Sequence, residues 1–195
     1  MLKVGLTPNV VSVLGIVWAA VGGGAALLAP SSEHAWAFWL LAAAGIQMRL
    51  FCNMMDGLLA VEGGLKSVTG DLFNEIPDRI DDAFILVPLG YAGGTDWSIA
   101  LGWAAMGGAV LTAYIRALGA SLRGGRHDFC GPMAKPHRMF AVTVGCLGMM
   151  TLDLMGLRWP LMFWCLVVVN VGIVITCWRR TTHLVKALKE TKKPL

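Results

Sequence analysis

A chain of 195 residues that is 56% apolar, only 14% charged and has a mean hydropathy of +0.66 is too greasy for an ordinary soluble domain of its size, so a bilayer is its natural solvent. The formal net charge of +4 is modest, and no nucleic-acid partner is expected. Five cysteines (Cys52, Cys130, Cys146, Cys165, Cys177) lie mostly in apolar stretches without metal-ligand spacing, and their odd number argues for reduced packing residues over a disulfide framework.

Roughly 20 consecutive apolar residues cross a hydrocarbon core of about 30 Å. Six such stretches predict an all-α integral membrane bundle of six transmembrane helices, a single domain over 1–195. The first span covers Thr7 to Leu28, with Thr7-Pro8-Asn9 as a cap followed by proline in the first turn. It is too long for the core of a cleavable signal peptide, so it is expected to stay on the protein. Within it, Gly22-Gly23-Gly24 reads as close helix packing rather than as a phosphate loop. The second span, Ala35 to Leu59, opens with Trp36 and Trp39 as interfacial anchors and carries Arg49, Asn53 and Asp56 toward its end. The third, Gly70 to Tyr91, holds Asp71, Asn74, Glu75, Asp78, Arg79, Asp81 and Asp82 in its first half. The fourth, Ser98 to Leu118, contains Tyr114 and Arg116, and a basic connection from Arg123 to Arg138 follows. Spans over Phe140 to Met155 and Leu161 to Trp178 are conventionally apolar, and the tail 179–195 is a basic helix or coil whose lysines suit anionic lipid headgroups.

Of 16 lysines and arginines, twelve fall on the side shared by the N-terminus, the second and fourth connections and the tail, against Arg158 alone on the other. That asymmetry predicts a multi-pass protein of the cell membrane with both termini cytoplasmic.

A charged side chain at mid-membrane costs about 2.5–3.5 kcal/mol on insertion scales, so the acidic residues of the second and third spans need partners. Asn53 and Asp56 are three apart, and Asn74, Asp78 and Asp82 step by four, so each set occupies one helical face. Oxygen ligands converging from two helices suit Mg²⁺ or Mn²⁺ rather than zinc. None of His34, His127, His137 and His183 is expected to be a ligand. Paired against this stands a plain reading in which Asp56 and Asp78 are neutralised by Arg49 or Arg79, with Asp71, Glu75 and Asp81 solvated or paired near a helix start.

The run Asn53-x2-Asp56-Gly57-x2-Ala60-Val61-x8-Gly70-x3-Asn74-x3-Asp78 resembles, position for position over 26 residues, the signature DxxDGxxARx8GxxxDxxxD of the CDP-alcohol phosphotransferase family. Thr7-Pro8-Asn9 and the Tyr114-x-Arg116 plus Arg138 pattern are similar to that family as well. Three positions depart from it: Asn53 and Asn74 replace aspartates, and Val61 replaces arginine. A divergent bacterial branch is similar in pairing two such asparagines with a preceding arginine and a later aspartate, which here are Arg49 and Asp82.

The resemblance implies a phospholipid-biosynthetic transferase that moves a phosphatidyl or phospho-alcohol group from a CDP-activated donor, CDP-diacylglycerol foremost, to an alcohol acceptor, releasing CMP. It implies a Mg²⁺ or Mn²⁺ site at Asp56, Asn53, Asn74, Asp78 and Asp82, with Asp78 as general base. Thr7, Asn9, Gly57, Ala60, Lys66 and Gly70 would shape the nucleotide site, and Arg116 and Arg138 would hold an acceptor phosphate. A homodimer surrounded by membrane lipid is expected on the same ground. The alternative is a non-catalytic or transporter-like protein on that scaffold, binding a CDP-lipid or an ion without turnover.

Overall fold

In a computed structural model of the chain, residues 8–61, 70–125 and 128–191 are described, and among them there are six α-helices, one short 3-10 turn and no strand. The helices are α1 (Pro8–Leu28), α2 (Ala35–Val61), α3 (Gly70–Ala92), α4 (Asp96–Leu122), α5 (Lys135–Leu154) and α6 (Leu161–Thr191). Four segments, Asn9–Ser31, Ala35–Leu59, Asp96–Leu122 and Leu161–Glu190, are long and apolar enough to cross a membrane. Helix α3, at 23 residues, equals the shortest of these and α5, at 20, falls just below it, and both carry charged residues that are buried at one end of the bundle.

Several helices exceed their expected limits, for local reasons. Thr95 caps α4 by accepting a hydrogen bond from the Ser98 amide at 3.1 Å, and Asp96 favours the positive end of the helix dipole, so the helix begins before its apolar run. Pro136 stands in the first turn of α5, where a missing N–H costs nothing, and the helix therefore starts at Lys135 instead of Phe140. The tail expected as helix or coil continues α6 without a break to Thr191, through a segment rich in Ala, Leu and Lys.

Helix α1 packs mainly on α2 and α3, α2 on α5, α3 on α4, and α4 and α5 on α6. Small residues set the close crossings. A Cβ on Gly45 would lie 2.7 Å from the Gly22 Cα, and one on Gly90 would lie 2.9 Å from the Gly102 Cα, so α1–α2 and α3–α4 approach backbone to backbone. Gly23 meets the Phe84 carbonyl of α3, which Pro88, four residues on, leaves without its usual helical donor. Gly22 and Gly23 thus serve packing, whereas a Cβ on Gly24 would meet nothing within 4 Å.

The core between the helices is Ile46, Ile85, Leu86, Leu89, Met139, Val142, Leu166 and Val169 with many alanines. Large apolar side chains such as Val13, Val17, Leu41, Phe84, Trp103, Val168 and Val174 point outward, as they would toward lipid tails. Trp36 is exposed, but Trp39, expected as a second interfacial anchor, is buried in the core because it lies on the α2 face turned inward. All five cysteines are free thiols.

Candidate active site

Both signature helices deliver their polar residues to one end of the bundle. Backbone contact between α2 and α3 is sparse, so the space between them is bridged by side chains. Arg49, one turn before Asn53 on α2, spans that gap. Its Nη2 donates to Asp78 Oδ1 at 2.5 Å and its Nε to Asp81 Oδ2 at 2.6 Å, with the guanidinium only 1% exposed. Asp81, expected to be solvated or paired near a helix start, is therefore a buried partner of an arginine. Asn53 Nδ2 donates to the same Asp78 oxygen at 3.3 Å, Lys135 of α5 forms an ion pair with it, and Arg79 Nη2 lies 3.6 Å from Oδ2.

Asp56 has a different setting. It is buried, accepts a hydrogen bond from the Ser12 hydroxyl of α1 at 2.8 Å, and has no ion pair among the described residues. The plain reading of the acidic pair as salt-bridged is thus true of Asp78 and not of Asp56. Asp82 faces α5, where Arg138 Nη2 donates to its Oδ2 at 2.8 Å and both side chains are 1% exposed. Glu75 pairs with Arg116 of α4 and with Arg79.

Two cavities meet at Asp78. A very small one is lined by Ser12, Arg49, Asn53, Asp56, Asp78 and Asp81. The other, about 270 Å³, takes Asn53, Glu75 and Asp78 on one side and five cations, Arg79, Arg116, Lys135, Arg138 and Arg180, around the rest. Lys135 and Arg180 were not legible as site residues, since a lysine in a basic connection and an arginine in a basic tail both look like topology markers. A larger cavity of about 400 Å³ lies at the opposite end of the bundle, between Trp39, Met149, Asp153 and Arg158, without a comparable charge cluster.

Residues 128–134, which lead into α5, border the 270 Å³ cavity through Phe129 and Ala134. Arg180 Nη1 donates to the Thr112 carbonyl at 2.7 Å and its Nε to the Cys130 carbonyl at 3.0 Å, tying the connection to α4 and α6. The Met133 amide donates to Thr176 Oγ1 at 2.9 Å, and Gly131, at φ +117°, passes so near Thr176 that a side chain there would collide. Phe129 lies under the Arg116 guanidinium, 5.5 Å from ring centre to Cζ. Asp128, Cys130 and His183 come within 4.8 Å of one another, a grouping not expected of His183. Burial opposes ionisation of Asp128, but the hydrogen bonds at Cys130 and the nearby His183 outweigh it and hold the carboxyl below its ordinary value.

Of the expected nucleotide residues, Asn9 is half-buried in the first turn of α1 and Gly57 sits in α2 with no described atom within 4 Å of an added Cβ. A helical glycine that packs against nothing suits an open face that a ligand approaches. Thr7 and Lys66 lie outside the described residues, Gly70 opens α3, and the side chains of Ala60 and Asn74 are likewise outside them. Arg116 and Arg138 both border the 270 Å³ cavity, while Tyr114 is exposed.

The donor set has a clear preference. Asp56, a buried carboxylate answered among the described residues by neutral donors, with Asn53 in the same small cavity, suits one hard divalent ion. Asp78, already met by Arg49, Lys135 and Arg79, does not suit a second.

No protein-family model matches the chain. The bifunctional IPC transferase and DIPP synthase of Rubrobacter xylanophilus is 34% identical over 117 residues, 60% of this chain and 25% of that protein, so the chain spans about a quarter of the relative's length. Among solved structures, the phosphatidylinositol phosphate synthase of Mycobacterium tuberculosis with CDP-DAG bound is similar at a TM-score of 0.73 and 24% identity, covering 94% of this chain and 88% of that one. The same synthase with manganese and citrate is similar at a TM-score of 0.74 and 24% identity, covering 94% and 84%. The chain therefore has the fold of that synthase, a bundle of helices.

Proposed function

We propose that the chain is a CDP-alcohol phosphotransferase of phospholipid biosynthesis, most simply one that transfers a phosphatidyl group from CDP-diacylglycerol to an alcohol, with all six helices crossing the membrane. The observation that carries the reading is the position of Asp78, which borders both the Asp56 cavity and the cationic one. A donor pyrophosphate near Asp56 and an acceptor phosphate among the arginines would place the reacting hydroxyl between them. Support comes from the signature spacing, the shared fold with a synthase solved with CDP-DAG, and the local identity to a transferase from Rubrobacter.

In this mechanism the acceptor oxygen bonds to the donor's diacylglycerol-side phosphorus, the bond from that phosphorus to the bridging oxygen breaks, and CMP leaves with that oxygen. Asp78 takes the hydroxyl proton. Asp56, together with Asn53 and Asn74 of the signature, would hold a single Mg²⁺ or Mn²⁺, which when bound supplies positive charge to the pyrophosphate and the departing CMP. Asp82 acts on the far side of Asp78 by fixing Arg138. Arg116 and Arg138 orient the acceptor phosphate by their planar forks. Thr7, Asn9, Gly57, Ala60, Lys66 and Gly70 frame the nucleotide. The homodimer implied by the family resemblance belongs to the same proposal.

Purified protein given labelled CDP-diacylglycerol, Mg²⁺ or Mn²⁺ and a panel of free and phosphorylated alcohols should release CMP with at least one acceptor. The neutralisation of Asp78 by several cations favours the second reading, binding without turnover, and retained CDP-diacylglycerol binding with no CMP release across the panel would select it.

A further inference from the structure

On the transferase reading, the charge at the centre of the site sets how many divalent ions it can hold. The signature that the sequence resembles carries four carboxylates, enough charge to offset two divalent ions; here the matching positions supply Asp56 and Asp78 with two neutral asparagines. Asp78 is not left waiting for an ion. A guanidinium 1% exposed bridges it to Asp81, three residues further on α3, at 2.5 and 2.6 Å, and the Lys135 ammonium pairs with the same carboxylate oxygen. Asn53 presents its amide N–H to that oxygen, a donor where a metal would need an acceptor. Arginine does not lose its proton in a protein, so this charge is permanent, and its planar fork joins two carboxylates as a bridging cation would. One guanidinium nitrogen, Arg49 Nη1, and one carboxylate oxygen, Asp81 Oδ1, are buried and make no hydrogen bond among the described residues.

We infer that Arg49, backed by Lys135, is a built-in substitute for one of the two divalent ions, and that Asp81 is the added counter-charge that holds the guanidinium in place. The protein then works with one exchangeable ion, on the Asp56 side. A second divalent ion at Asp78 would face a fixed positive charge at hydrogen-bond distance from its own ligand, and it is excluded by repulsion more than by the missing carboxylates.

The test is manganese stoichiometry on the full chain in detergent, by calorimetry and by electron paramagnetic resonance, with and without CDP-diacylglycerol. The parent should bind one Mn²⁺ with no spin-coupled pair in either condition. The variant Asn53→Asp with Asn74→Asp, keeping Arg49, should bind that one ion at least tenfold more tightly and still only one. Adding Arg49→Gln to this variant should admit a second ion and produce the coupled signal. Two ions in the parent, or two in the double variant with Arg49 present, would overturn the inference, and those measurements stand even if the triple variant does not fold. CMP release from the same preparations separates the readings: release with two ions bound keeps the transferase and removes the arginine substitute, whereas one ion without release does the opposite.

Discussion

Replacing Asp78 with Asn keeps the side chain's size while removing the proposed proton acceptor, and Arg49 retains Asp81 as a partner, so the local charge network is altered but not emptied. Loss of a general base typically costs about 10²–10⁴ in rate, and turnover in Asp78→Asn should fall by that order while CDP-diacylglycerol binding persists; undiminished CMP release would remove Asp78 from the chemistry. A different outcome belongs to Asp82 and Arg138, each 1% exposed. Arg138→Met leaves the buried Asp82 carboxylate with Arg79 Nη1, 4.0 Å away, as its remaining described cation and should cost about 3 kcal/mol, visible as a lower melting temperature in detergent, whereas Arg138→Met with Asp82→Leu should recover most of it. Activity should be lost in both, since the guanidinium is gone from the cationic cavity in both. A double variant no more stable than Arg138→Met would mean that the pair is not an isolated unit. Asp56 and Asp78 are legible in the sequence because a three-residue step on one helix and four-residue steps on the next mark inward faces within a fixed spacing. Ser12 and Lys135 are not legible, because their partnerships with those aspartates exist only through tertiary packing across 44 and 57 residues of chain.

Helix limits read from hydropathy stop where charge begins, and this chain buries its charges. Lys135 to Arg138 therefore looks like loop although Pro136 opens a helix there, and the segment after Trp178 looks like a detached tail although α6 runs on and brings Arg180 to the cavity. The glycine run in α1 is better determined at the level of the element, since its meaning depends on which helix each residue faces. Gly23→Ala would drive a Cβ into the Phe84 carbonyl of α3 and should destabilise by at least the 1–3 kcal/mol typical of overpacking. Gly24→Ala, one residue along, meets open space and should be neutral or stabilise by about 0.5–1 kcal/mol through helix propensity. Melting the two variants side by side in one detergent checks the α1–α3 crossing; equal melting temperatures would mean that α1 does not sit against α3 at Gly23.

At the scale of the whole molecule, the six helices alternate in direction, so the start of α1, the end of α2, the starts of α3 and α5 and the ends of α4 and α6 share one face of the bundle, and the cationic cavity opens among them. Arg158 lies on the other face, exposed beside the cavity lined by Trp39 and Asp153. In sequence, twelve of the 16 lysines and arginines lie at or next to these helix ends, and basic connections of this length are retained on the cytoplasmic side during insertion. The cavity should therefore face the cytoplasm, together with both termini. Variants carrying Lys66→Cys or Lys192→Cys should resist a membrane-impermeant maleimide in intact cells and react after lysis, measured against the labelling of the parent, whose native Cys52 and Cys146 are buried. Arg158→Cys should react in intact cells without lysis. The three positions test one arrangement, because an odd number of crossings between Lys66 and Arg158 and between Arg158 and Lys192 follows from α3 to α5 and from α6 respectively. Protection of Arg158→Cys together with external labelling at Lys66 and Lys192 would invert the protein in its membrane and place the site outside the cell. Like reactivity at all three would show that at least one of these helices does not cross.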